Sequence, residues 1–95
     1  MEAKIRYLSY EIAKRFGSYK KREIIHLPDN STYGQLLVFL EKRYRKITEQ
    51  SRYEKNEKVL DSFIFLSDKG PLHRVRDKNI DPNDEILVAY ADVGG

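Results

Sequence analysis

One stretch of this chain carries the spacing of an amphipathic helix. Thr32 and Gln35 make a T-x-x-Q capping box, in which each side chain satisfies the other residue's backbone N–H. Tyr33, Leu36, Leu37, Leu40, Tyr44 and Ile47 then recur at helical intervals, with Glu41, Lys42 and Arg45 turned to water. A helix with one apolar stripe has one face to bury. The apolar runs on either side of it are short and strand-like, so the helix is expected to lie across a sheet. That makes an α+β domain, a mixed sheet packed on one main helix.

Residues 3–10 read as the first strand, with Ile5 and Tyr7 on one face. Phe16-Gly17-Ser18 signals a turn, and residues 11–21 form a loose connection through it to the basic triplet Lys20-Lys21-Arg22. Glu23 to Leu27 is β-branched and stops at Pro28-Asp29-Asn30, so the pair reads as a hairpin. Residues 48–58 are polar and of mixed sign, and are expected to be a partly ordered extension of the helix. Ser62 to Leu66 is a central strand closed by the turn at 67–71, Leu72 to Val75 a short edge strand, Ile80 to Asp84 a turn, and residues 85–90 the last strand. A right-handed crossover through the helix predicts that its flanking strands are parallel neighbours in the sheet.

The domain is expected to span residues 1–90, with a flexible tail over 91–95. That tail ends in Val93-Gly94-Gly95 directly after a strand. Two glycines without Cβ atoms make the thinnest segment a chain can have, and a poor way to finish a fold. They suit the passage of a carboxylate through a narrow channel into another protein's active site. A frayed terminus is the plain alternative.

Bulk properties narrow the chemistry. Charged residues make up 35% of the 95 residues and the mean hydropathy is -0.69, which predicts a soluble, cytoplasmic protein without a membrane span or secretory signal. Without cysteine there is no disulfide framework, thiolate metal site or thiol nucleophile. His26 and His73 have no metal-ligand spacing, and no P-loop or nucleophile elbow occurs, so no catalytic or metal residue is assigned and the chain is not expected to be an enzyme. The net charge of +3 is uneven: residues 1–60 hold 14 Lys/Arg against 8 Asp/Glu, and residues 61–95 hold 4 against 7.

The ending Asp84-Glu85-Ile86-Leu87-Val88-Ala89-Tyr90-Ala91-Asp92-Val93-Gly94-Gly95 resembles that of the ubiquitin-like β-grasp sulfur carriers and protein modifiers. Lys4-Ile5-Arg6-Tyr7-Leu8 is similar to their opening strand, and Thr32-Tyr33-Gly34-Gln35-Leu36-Leu37 to their helix start. Relatives include archaeal small modifiers, the ubiquitin-related modifier, the small subunit of molybdopterin synthase and the thiamine sulfur carrier. The molybdopterin synthase subunit typically has two prolines where this chain has Tyr90 and Ala91, which moves the resemblance towards the modifiers. So does the insertion at 48–58.

The resemblance implies a β-grasp fold and a chain that is substrate rather than catalyst. An activating enzyme would adenylate Gly95 with ATP, with no cofactor bound by the chain itself. Gly95 would then be joined to lysines of target proteins, with a thiocarboxylate sulfur-carrier role beside it. Tyr90, Ala91, Asp92, Val93 and Gly94 would be the tail that the activating enzyme reads. Sulfurtransferases and proteasome-type machinery are further partners it implies. It also implies an apolar docking face on the sheet opposite the helix, for which Phe63, Phe65, Leu87 and Ala89 are the candidates; alternation alone leaves Phe63/Phe65 against Ile64/Leu66 open. Two alternatives stand beside this reading. One is a dedicated sulfur carrier for molybdopterin, thiamine or tRNA thiolation. The other is a basic nucleic-acid or protein interaction domain built on Lys20-Lys21-Arg22 and Lys42 to Lys46, although interleaved acids argue against nucleic acid.

Overall fold

A computed structural model describes residues 1–51 and 62–91, with side chains of the first segment described as far as Ile47. The chain runs β1 (Glu2–Tyr7), α1 (Tyr10–Arg15), β2 (Arg22–His26), α2 (Tyr33–Ser51), β3 (Phe63–Ser67), β4 (Gly70–Pro71) and β5 (Glu85–Tyr90). The strands form one mixed sheet in the order β2-β1-β5-β3-β4. β1 and β5 are parallel at its centre, and the other pairings are antiparallel.

The capping box at the start of α2 is made in both directions. Thr32 Oγ1 accepts from the Gln35 N–H at 3.2 Å, and Gln35 Oε1 accepts from the Thr32 N–H at 2.8 Å. Tyr33, Leu36, Leu37, Leu40 and Tyr44 are buried as the stripe requires, while Lys42 and Arg45 are exposed. Glu41 is half-buried and paired with Arg45 at 2.5 Å. The helix continues to Ser51, so the expected extension is helical over 48–51; its remainder, 52–58, lies outside the described residues.

Opposite α2, β1 turns Ala3, Ile5 and Tyr7 inward, β5 Ile86 and Val88, and β3 Phe63 and Phe65. Phe16 is fully buried at the centre of the resulting core. Its ring lies 5.8 Å from Tyr7, 5.4 Å from Tyr44, 5.1 Å from Phe63 and 5.9 Å from Phe65, in stacked, tilted and edge-on arrangements that aromatic quadrupoles favour.

Three expectations are corrected. Residues 11–21 are not simply a loose connection, because they contain α1. Ser9 caps it by accepting the Ile12 N–H at 3.3 Å, and the turn that follows uses Gly17 at φ +75°, a conformation open to glycine. The flanks of α2 run parallel but are not neighbours, since β1 and β5 lie between β2 and β3. A helix of 19 residues is about 28 Å long, ample to step across the three strand spacings of about 4.8 Å each. Finally, Leu72 to Val75 is a turn that buries Leu72 and Val75, and the short edge strand is Gly70–Pro71.

Two polar clusters fasten helix to sheet. The Tyr33 hydroxyl donates to Asp84 Oδ2 at 2.7 Å and accepts the Asp81 N–H at 3.2 Å, while Asp84 Oδ1 accepts the Asp68 N–H at 3.0 Å. Asp84 is only 3% exposed. Further along, the Tyr7 hydroxyl donates to the Glu23 carboxylate, which also accepts from Arg43 Nη1 at 2.9 Å. Burial, and then Glu23, push the Tyr7 phenol well above its ordinary range.

Candidate functional site

β5 carries the chain towards its glycines, and three contacts fix where that strand ends. The Tyr90 ring stacks on Phe63 with centroids 5.4 Å apart. Its hydroxyl donates to Glu11 Oε1 at 3.0 Å, which joins the strand end to α1. The Ala91 N–H then donates to the Ser62 carbonyl at 3.0 Å, so Ala91 is still held to the sheet. Of the proposed tail-recognition residues, Tyr90 and Ala91 are therefore anchored parts of the domain. Asp92, Val93, Gly94 and Gly95 lie outside the described residues.

The register decides the open question of parity. Phe63 and Phe65 pair with Tyr90 and Val88 and face the helix, at 2% and 5% exposure. They are core residues and do not belong to an outer docking face. Their rings are drawn in because Phe16 and Tyr44 pack against them. The outward residues of β3 are Ile64, exposed, and Leu66, half-buried. Leu66 pairs with Leu87 and Ile64 with Ala89, so those two expected residues of β5 do lie on the outer face. Ala89 is small and covered by its neighbours, yet stands apart from the helix-side core.

Leu8 extends this surface. It is 58% exposed, and its N–H donates to the Val88 carbonyl at 2.9 Å, which continues the β1–β5 ladder and sets Leu8 beside Ala89. An apolar strip of Leu8, Ala89, Ile64, Leu87 and Leu66 thus covers the outer face close to the end of β5. An open depression of about 440 Å³ borders it along β3, reaching Pro71, Leu72 and His73. Sequence reasoning named the strip's β5 half and missed Leu8, which differs from its core neighbours only by strand parity.

The other half of the face, over β1 and β2, is charged. Glu85 lies 3.4 Å from Arg6 Nε and 3.6 Å from Arg22 Nε. His26 is exposed and 3.9 Å from Glu2, and His73 is exposed. Among the described residues no cluster of His, Asp or Glu has the geometry of a metal site, and no helix is long and apolar enough to cross a membrane. The outer face thus combines an apolar strip with a charged flank, and the contacts that hold Tyr90 and Ala91 lie at one edge of that strip.

No protein-family model and no curated protein matches the sequence. Solved structures do match. SAMP1 from Haloferax volcanii superposes with a TM-score of 0.63 at 15% identity, covering 100% of both chains. A protein described as molybdopterin converting factor, subunit 1, from Pyrococcus furiosus gives 0.60 at 15% identity, over 95% of this chain and 97% of that one. A second structure of the Haloferax volcanii small archaeal modifier protein 1 gives 0.58 at 14% identity, over 93% and 94%. The mixed five-stranded sheet with its packed helix is thus the β-grasp fold shared with these structures.

Proposed function

We propose that this chain is a ubiquitin-like carrier and modifier whose Gly95 is its reacting terminus. The observation that carries the reading is the junction of two features: β5 ends at a fixed point, Tyr90 and Ala91, and an apolar strip for a partner lies beside it on the same strand. An activating enzyme docks on Leu8, Ile64, Leu66 and Leu87 and receives the tail. The Gly95 carboxylate attacks the α-phosphorus of ATP, forming an acyl-adenylate and releasing pyrophosphate. A lysine amine of a target, directly or after transfer to an enzyme cysteine, attacks the Gly95 carbonyl. The new amide forms as the C–O bond to AMP or the C–S bond to the thiol breaks, and the amine loses a proton. Attack on the adenylate by an enzyme's persulfide, followed by reductive cleavage of the acyl disulfide by a thiol, leaves a thiocarboxylate and gives the sulfur-carrier branch. The chain supplies presentation and the enzyme supplies chemistry. The fold shared with SAMP1 and with molybdopterin converting factor subunit 1 supports both branches.

The test is ATP–pyrophosphate exchange with the activating enzyme of the same host. Deleting Gly95, or replacing Gly94 with a bulky residue, is expected to abolish exchange without altering the circular dichroism spectrum. Ile64→Asp and Leu87→Asp are expected to raise KM with the fold intact, because both residues are on the outer face. Undiminished exchange by the Gly95 deletion rejects the reading. Mass spectrometry of conjugates from the host then separates the branches, as lysines bearing a glycine remnant or as a terminus with sulfur in place of one oxygen.

A further inference from the structure

Acids are interleaved with the basic residues in the sequence, and the fold sorts them. Lys4 and Arg6 alternate along β1 with the buried Ile5 and Tyr7, so both stand on the outer face of the sheet. Arg22 lies opposite Arg6 in the β1–β2 pair and is exposed, as are Lys20 and Lys21 just before it. Two open depressions meet at Arg22. One, of about 490 Å³, is bordered by Lys4, Lys20 and Glu85, and the other, of about 290 Å³, by Arg6, Lys21 and Leu8. The acids of this region offset little of that charge. Glu23 turns to the inner side, where Tyr7 and Arg43 engage it. Glu85 is shared between Arg6 and Arg22 at 3.4 and 3.6 Å, longer than a normal hydrogen bond. Glu2 lies by His26, and Glu11 accepts from Tyr90. Among the described residues Lys4, Lys20 and Lys21 have no carboxylate partner.

Two aromatic rings stand beside these cations. Ser18 is buried and folds the chain back on itself: its hydroxyl donates to the Lys20 carbonyl at 2.9 Å and accepts the Lys20 N–H at 3.3 Å. Tyr19 lies at the tip of that loop and is 95% exposed. Tyr10 is 59% exposed and carries Lys21 Nζ over its ring, 5.1 Å from the centroid. Neither ring belongs to the core. Exposed ring faces beside unpartnered ammonium groups suit a base and its phosphate together. A run of acidic side chains would satisfy the lysines and leave both rings in water. A duplex keeps its base faces stacked on one another, and the long helix that could enter a groove, α2, packs on the opposite side of the sheet. The other basic run, Lys42 to Lys46, lies on α2, where Arg43 and Arg45 are paired with Glu23 and Glu41.

We propose that the outer face of β1 and the turn leading into β2 bind single-stranded nucleic acid. Phosphates meet Lys4, Lys20 and Lys21 with the arginine pair, Arg6 and Arg22, and bases stack on Tyr19 and Tyr10. Every base has a face to stack, so the site tolerates any sequence. This goes beyond the reading of Gly95 and does not depend on it.

The test follows the fluorescence anisotropy of labelled oligothymidine and oligouridine, each of about twelve nucleotides, as the full chain is added at low salt. Saturable binding of at least one is expected, and the ratio of their affinities separates DNA from RNA as the preferred strand. The three unpartnered lysines predict that log K falls against log salt with a slope of about −2. Lys20→Glu/Lys21→Glu is expected to weaken binding roughly tenfold or more. Tyr19→Ala is expected to weaken it at least about fivefold, and Tyr19→Phe, which keeps the ring, by less than about twofold. All three residues are exposed, so the circular dichroism spectrum is expected to stay unchanged. An abasic strand of the same length, which has the charge without the bases, is expected to bind at least about fivefold more weakly. The proposal is overturned if the abasic strand, a duplex of the same length or polyglutamate binds as tightly as the base-bearing strand. It is overturned equally if Tyr19→Ala binds like the parent, if ¹⁵N amide shifts centre on Lys42 to Lys46 rather than on Lys4 and Tyr19 to Arg22, or if neither oligonucleotide is saturated at millimolar protein.

Discussion

Asp84→Ala is expected to lower stability by about 3 kcal/mol. Asp84 accepts two hydrogen bonds as a buried residue, from Tyr33 at 2.7 Å and from the Asp68 N–H at 3.0 Å. Hydrogen bonds to charged groups contribute roughly 1.5–3 kcal/mol each. The two losses are unequal, because Asp68 is exposed and its N–H can return to water, whereas Tyr33 is fully buried and its hydroxyl cannot. Most of the cost therefore falls on Tyr33, with a smaller part from Asp68. Against a total of roughly 5–15 kcal/mol for a domain of this kind, such a loss is large. With a urea m-value of about 1 kcal/mol/M, the midpoint is expected to fall by ~3 M. The assay is urea unfolding followed by far-ultraviolet circular dichroism, on Asp84→Ala, Tyr33→Phe and the double variant. Since both single changes break the same bond, the double variant is expected to lose at least about 1 kcal/mol less than their sum. A loss below about 1 kcal/mol in Asp84→Ala, or strict additivity, refutes the argument that this pair fastens α2 to the start of β5.

The same tyrosine gives an alkaline signature. Burial is the main cause that pushes the Tyr33 phenol up to about 12; its bond to Asp84 adds to this and the Asp81 N–H opposes it. The folded value lies above the unfolded one, so this stability is complete below about pH 10 and is lost as pH rises through about 12. Thermal melts across that window are expected to fall less steeply in Tyr33→Phe than in the parent, and equal slopes would contradict the assignment. In the core, Phe16→Ala removes a ring in contact with four other aromatics and is expected to cost ~3–5 kcal/mol, leaving the domain near its unfolding threshold at room temperature. A variant that still melts within a few degrees of the parent would mean that the cluster closes over the gap.

How legible each part was follows from how many residues carried its signal. α2 has a reciprocal cap and a stripe several turns long, and both are found where the spacing put them. α1 has six residues, of which Ile12 and Ala13 are buried, so no periodicity can build up; its one sequence mark is Ser9 as cap. The parity of β3 was unreadable because Phe63, Ile64, Phe65 and Leu66 are all apolar, and alternation needs a polar residue to phase it. Size decided the matter: the two rings fill the space around Phe16, and the aliphatic pair faces out. Strand order was misjudged for a different reason. Pairing across β1 and β5 joins segments some eighty residues apart, and no local pattern encodes that choice.

The bond between the Ala91 N–H and the Ser62 carbonyl has a consequence of scale. Gly95 is the fourth residue beyond Ala91, and a fully stretched chain advances at most about 3.6 Å per residue, so chain length alone limits their separation to ~14 Å. If Gly95 reacts as proposed, an enzyme acting on it would have to bring its catalytic pocket almost to the surface of the domain. On that same proposal, a lysine joined to Gly95 would carry the whole domain pressed close to its own protein, shading the surface around the point of attachment rather than trailing a distant flag.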